Sequence, residues 1–198
     1  MPHLVLLGDS IFANAAYVSG GPDVVTQLRA LLPAGWRATL GAVDGAVIDD
    51  VRRQVAGMPA DATHLVVSVG GNDALAHAGL LDRKASSSSQ VLGWFADAVE
   101  DFESRYRRTL GALDARGLPL AICTIYNGNL GEPTQRLATT ALALFNDVIT
   151  RVAIERELPL IELRRACTEP ADYANAIEPS VQGGARIAHA IVTTLLPG

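Results

Sequence analysis

The apolar run Leu4-Val5-Leu6-Leu7 stops at Gly8-Asp9-Ser10, and that serine is the first residue of the chain placed to do chemistry. Four consecutive large apolar residues describe a strand buried on both faces, as a parallel sheet between helices produces. A glycine at its C-terminal lip lets the chain turn so that the next side chains face the crevice where open α/β sheets bind ligands. Ser10 is then a candidate nucleophile; the alternative is an ordinary turn, since Gly, Asp and Ser are all common in loops. The pattern recurs. Residues 36–43 read as a second strand leading into Asp44-Gly45-Ala46, and residues 63–69 as a third leading into Gly70-Gly71-Asn72-Asp73. Three strands therefore deliver glycine and polar side chains to one edge, unless Gly45 merely ends a strand and Asn72-Asp73 merely cap a helix.

The remaining elements follow from periodicity. Val24, Val25, Leu28, Leu31 and Leu32 recur at helical spacing up to Pro33 and Gly35, and Ile48, Val51 and Val55 mark a second helix closed by residues 57–59. Residues 82–90, with four serines in a row, read as a mobile surface loop that would cover the site. From Val91 to Gly117 one long amphipathic helix is expected, with Asp101/Arg105 and Glu103/Arg107 as i,i+4 pairs on its outer face. Residues 118–125 form a fourth strand, a helix runs from near Pro133 to about Leu158, and residues 160–163 make a fifth strand. Ile187, Ile191 and Leu195 belong to a last helix. Such alternation calls for a three-layer α/β/α sandwich around a five-stranded parallel sheet with flavodoxin-like order 2-1-3-4-5.

At 198 residues the chain suits one domain, residues 1–198. A net charge of −5 and the lack of a long Lys/Arg run argue against a nucleic-acid partner. Met-Pro-His before a short apolar run has neither the basic flank nor the length of a secretory signal, and no stretch reads as a membrane span, so a cytoplasmic protein is expected. Cys123 and Cys167 are then structural thiols rather than a disulfide. Oligomeric state is not encoded in any pattern of the sequence.

Taken together, Gly8-Asp9-Ser10, Gly45 after strand two, Gly70-x-Asn72-Asp73 after strand three and a Pro-Ser before the last helix resemble the SGNH (GDSL-type) hydrolase family over essentially the whole chain. The resemblance implies a serine esterase with Ser10 as nucleophile. It implies an oxyanion hole made by the backbone N–H groups of Ser10 and Gly45 and the side-chain amide of Asn72. Such neutral donors suit the charge that develops on a carbonyl oxygen during acyl transfer. No metal or organic cofactor is implied, and the partner would be a small-molecule ester.

The fourth block departs from the family. Its Asp-x-x-His is replaced by Asn175-x-x-Glu178, with Pro179 and Ser180 kept, so the usual histidine base is missing. A carboxylate at 178 can take the serine proton if burial raises its pKa. An Asp at 175 would oppose it as a like charge, whereas Asn175 can donate an amide hydrogen bond to it. Among the histidines, His3 and His64 begin their strands, roughly 20 Å from the catalytic edge at about 3.3 Å per residue. His189 shares a helical face with Arg186 and Thr193 and points to solvent, which leaves His77 as the one surrogate base near the mouth. Two functions follow: a hydrolase cleaving a small or medium acyl ester through a Ser10 acyl-enzyme with Glu178 as atypical base, or an inactive relative that binds an ester, acetylated sugar or lipid-like ligand.

Overall fold

The computed structural model describes residues 1–196; residues 197 and 198 of the expected domain lie outside it. Five strands form one parallel sheet in the order β2-β1-β3-β4-β5: β1 His3–Gly8, β2 Arg37–Leu40, β3 His64–Ser68, β4 Leu120–Cys123 and β5 Leu160–Ile161. The order is the one expected from the alternation of strands and helices. β1 sits inside the sheet, with Leu6 opposite Leu40 on one side and Val66 on the other.

Its continuous apolar run has a simple cause. Leu4 and Leu6 join the core beneath α1 (Val24–Leu31) and α7 (Val181–Leu195). Val5 and Leu7 join the opposite core, beneath α2 (Val51–Gly57), α4 (Ser88–Asp114) and α5 (Thr134–Glu155). Side chains alternate across a strand, so helices on both faces demand apolar residues at every position. Each such side chain contributes about 1.5–3 kcal/mol when fully buried. Among the described helices only α5 has the length and apolarity to cross a membrane. Its apolar side is occupied: Phe145, Val148, Ile149 and Val152 are buried in the core below the sheet.

Several boundaries differ from expectation. The serine-rich stretch is not one loop: Ser87 accepts a hydrogen bond from the Gln90 backbone and Ser88–Gln90 is already the first turn of α4. Ser and its neighbours favour N-caps as much as loops, and composition does not separate the two. A short helix, α3 (Gly71–Leu75), starts directly at the Gly-Asn-Asp cluster, so Asn72 and Asp73 lie within its first turn rather than ahead of it. Both edge strands are shorter than their apolar stretches. β2 ends at Leu40, although Gly41 and Val43 still donate to Leu6 and Gly8 of β1. β5 yields after two residues to α6 (Leu163–Ala166), capped by the Glu162 carboxylate.

Candidate active site

The C-terminal ends of β1 and β3 meet with no room to spare. Gly8 has φ +127°, and a Cβ there would lie 1.7 Å from the Ser68 carbonyl oxygen, so only glycine permits the strands to close and the chain to swing Ser10 over the edge. Gln54 of α2 fixes this turn, donating to the Gly8 carbonyl and accepting from its N–H, each at 2.7 Å.

Glu178 arrives from the opposite side, on the loop between α6 and α7. That loop is bound by Asp172, which is fully buried; its Oδ2 accepts from the Thr168 and Glu169 N–H groups and its Oδ1 from Gln182 and Arg186. Gly183 lets α7 press against it, since a Cβ at that position would sit 2.0 Å from the Asp172 carbonyl oxygen. Asn14, also fully buried, donates to the Pro179 carbonyl and accepts from the Val24 N–H, tying the Glu178 loop to α1. The Tyr126 hydroxyl donates to the Ile177 carbonyl.

These supports bring two residues together that are 168 positions apart: the Ser10 hydroxyl donates to Glu178 Oε1 at 3.1 Å, and both residues are buried. The second carboxyl oxygen, Oε2, is buried without a hydrogen-bond partner among the described residues. Burial raises the Glu178 pKa above the usual carboxylate range; the Ser10 hydrogen bond opposes this and the Asp44 charge adds to it. The neighbouring Asp9 is pushed up to about 7, chiefly by burial, against the pull of the Ile11 N–H that it accepts at 3.1 Å. Glu178 and Asp73 push Asp9 the same way by like charge.

Asn175 does not do what the sequence suggests. Its Oδ1 accepts from the Ile177 and Glu178 backbone N–H groups, at 2.9 Å each, and its amide makes no hydrogen bond to the Glu178 carboxylate. An Asx turn on its own chain wins over a contact across the site, and Asn175 shapes the bend that presents Glu178.

The other edge residues form a second support. Asn72 donates to the Ala46 carbonyl at 3.0 Å, and the adjacent Asp73 accepts from the Ile48 N–H at 3.0 Å, so consecutive side chains of α3 pin the loop that carries Gly45. Arg105, in the middle of α4, completes the link through a 2.5 Å bond to Asp73 and a 2.9 Å bond to Asp49. Its expected i,i+4 partner Asp101 is farther, at 3.5 Å. Among the described residues, neither the Ser10 nor the Gly45 backbone N–H donates to another protein group. Asn72 and Ser10 line one cleft, whereas Gly45 lines a neighbouring depression with Asp44 and Arg53.

The histidines are dispersed. His77 lines the same cleft as Ser10 and stacks on Phe145, with ring centroids 6.1 Å apart, but makes no hydrogen bond to Ser10. His3 is buried at the start of β1, with its ring between Asp61 and Thr39; His64 packs on Trp36; His189 is exposed. Cys123 and Cys167 are buried free thiols whose pKa values burial drives upward. Sequence reasoning missed Gln54, Asp172 and Asn14, and it gave Arg105 only the Asp101 pairing. Asn14 carried a local signal, a polar residue placed before a helix start; Gln54 and Arg105 act across long sequence separations, and Asp172 joins local backbone donors to α7.

Residues 6–186 match the GDSL-like lipase/acylhydrolase family. No curated protein sequence matches the chain. Among solved structures, the extracellular lipase of Streptomyces rimosus superposes with a TM-score of 0.74 at 17% identity, covering 98% of this chain and 100% of its own. The lipase Lip_vut3 from a goat rumen metagenome gives a TM-score of 0.77 at 15% identity, covering 98% of both chains. The acetylxylan esterase Axe2 of Geobacillus stearothermophilus gives 0.68 at 18% identity, covering 100% of this chain and 95% of its own. The family match over nearly the whole sequence and the shared parallel sheet agree: this chain belongs to the GDSL-like lipase/acylhydrolase family.

Proposed function

We propose that this member of the family is a serine esterase in which Glu178 replaces histidine as the general base. The observation that carries the proposal is the 3.1 Å hydrogen bond from the Ser10 hydroxyl to a buried carboxylate. A nucleophile within hydrogen-bond reach of a base, held by elements on both sides, is the arrangement that activates a serine. Burial raises the Glu178 pKa, which strengthens the carboxylate as a proton acceptor.

In the proposed reaction, Ser10 Oγ attacks the ester carbonyl carbon and its proton passes to Glu178 Oε1. The carbonyl oxygen becomes an oxyanion, met by the free backbone N–H groups of Ser10 and Gly45 and by the Asn72 amide hydrogen not used on Ala46. Glu178 then gives its proton to the departing alkoxide, leaving an acyl group on Ser10. Water, deprotonated by Glu178, attacks the acyl carbon; the bond from that carbon to Ser10 Oγ then breaks, Glu178 returns the proton to Ser10 Oγ, and the carboxylic acid leaves. Asn175 positions Glu178 through the backbone, and His77 has no step to perform. The family and the lipases and acetylxylan esterase of similar fold support the reaction class.

The test is hydrolysis of 4-nitrophenyl butyrate from pH 4 to 9 by wild type and Glu178→Gln. The base must be ionised, so wild-type activity rises as pH passes a Glu178 pKa above the ordinary carboxylate value and is lost below it. Glu178→Gln lowers kcat by about 10²–10⁴-fold. Undiminished hydrolysis by that variant would remove Glu178 from the mechanism.

A further inference from the structure

We infer that the cleft beside Ser10 takes an apolar acyl chain of medium length, so that the enzyme's substrates are medium-chain esters rather than acetylated sugars; this rests on the esterase reading above. Ser10, Asn72 and Glu178 line one part of a cleft that holds about 140 Å³. An apolar part of its wall comes from four elements: Leu75 of α3, Phe95 of α4, Ile125 after β4, and Ala141, Leu142 and Phe145 of α5. Among the described residues no Lys or Arg lines it, its carboxyl groups are Asp9 and Glu178 next to the serine, and its other polar side chains include Asn72, His77, Tyr126 and Asn127.

Size and lining together select the guest. An apolar protein cavity of about 150 Å³ stays dry and takes a benzene-sized hydrocarbon. A comparable space here admits several methylenes beyond the reacting carbonyl and would be left mostly unfilled by acetate. A sugar hydroxyl placed along the α5 wall would lose its water without gaining a partner, which is costly. An alkyl chain gains at every step. Ala141 contributes a small side chain to the α5 wall, where a larger one would take up cleft volume.

The experiment is kcat/KM for the 4-nitrophenyl esters of acetate, butyrate, hexanoate and octanoate. Burying each methylene corresponds to roughly fourfold, so kcat/KM climbs by about that factor per methylene until the cleft is full. Ala141→Phe fills the cleft and collapses the octanoate-to-acetate ratio toward one, while Leu142→Ala moves the optimum to longer chains. A flat series, or one that falls from acetate, would overturn the inference while leaving the esterase intact. In parallel, calorimetric titration of Ser10→Ala with methyl octanoate and methyl acetate reads binding without chemistry. Preferential binding of the octanoate ester by a protein whose wild type cleaves nothing would sustain the pocket and sink the esterase. Equal weak binding of both would sink the pocket.

Discussion

Among the described residues Asp9 has no salt-bridge partner, and its replacement by Asn gives a sharp test of the site's electrostatics. It is 3% exposed, it accepts from the Ile11 N–H, and burial pushes its pKa up to about 7 from an ordinary 3.8. Below the ordinary value both folded and unfolded chains carry the proton, and Asp9 costs nothing. Between 3.8 and about 7 the unfolded chain has released the proton and the folded chain has not, so stability falls as pH rises through this window. The difference of about three units, at about 1.4 kcal/mol each, amounts to about 4 kcal/mol once pH exceeds 7. Asn can still accept from Ile11 and has no charge to bury. Urea denaturation at pH 4, 6 and 8 should therefore show Asp9→Asn gaining on wild type by about 4 kcal/mol between the extremes, with most of the gain in place by pH 7. Parallel pH profiles for the two proteins would refute the reasoning, because they would mean that Asp9 is ionised at no cost in the folded state.

Three further outcomes are expected. Asn72→Ala removes one candidate oxyanion donor and its tether to Ala46, lowering kcat about 10²–10³-fold with a smaller change in KM, as steady-state ester kinetics will register. Arg105→Met leaves the buried Asp73 carboxylate without its cation, with the Ile48 N–H still donating to it, and releases Asp49; because Arg105 is 21% exposed, the loss is about 2 kcal/mol, below that of a fully buried pair, measurable by denaturation at pH 7. Gly8→Ala forces a methyl group onto the Ser68 carbonyl in a left-handed backbone conformation and yields no cooperatively folded protein by circular dichroism or thermal melting.

How much of this was legible beforehand depended on the range of the interaction. β1 declared itself because burial on both faces makes four apolar residues contiguous, and the sheet order followed from the alternation of strands and helices. α4 was visible from Phe95 to Leu113 because one face is buried, yet its first turn was hidden: Ser88–Gln90 are exposed and polar, and a cap reads like a loop. The two edge strands were overextended because Gly41 to Val43 and Glu162 to Leu163 keep strand-like composition while capping and turn contacts set the real limits. In the site, Ser10 and Glu178 could be named singly from their motif positions, but no local pattern reports a 3.1 Å contact between them. Asn175 shows the opposite failure. Its role was assigned by chemical plausibility, and a local Asx turn claimed its carbonyl instead. Gln54 binds a chain segment far from its own, so nothing in its neighbourhood marks it, and Arg105's local partner Asp101 hides its bond to the distant Asp73.

The central claim, that Ser10 is a nucleophile activated by Glu178, is tested most directly by fluorophosphonate labelling read by peptide mass mapping at neutral pH. One adduct is expected on the peptide containing Ser10, absent in Ser10→Ala and formed at least about 10²-fold more slowly in Glu178→Gln. A wild-type protein that stays unlabelled, or a Glu178→Gln variant labelled at the wild-type rate, would contradict it.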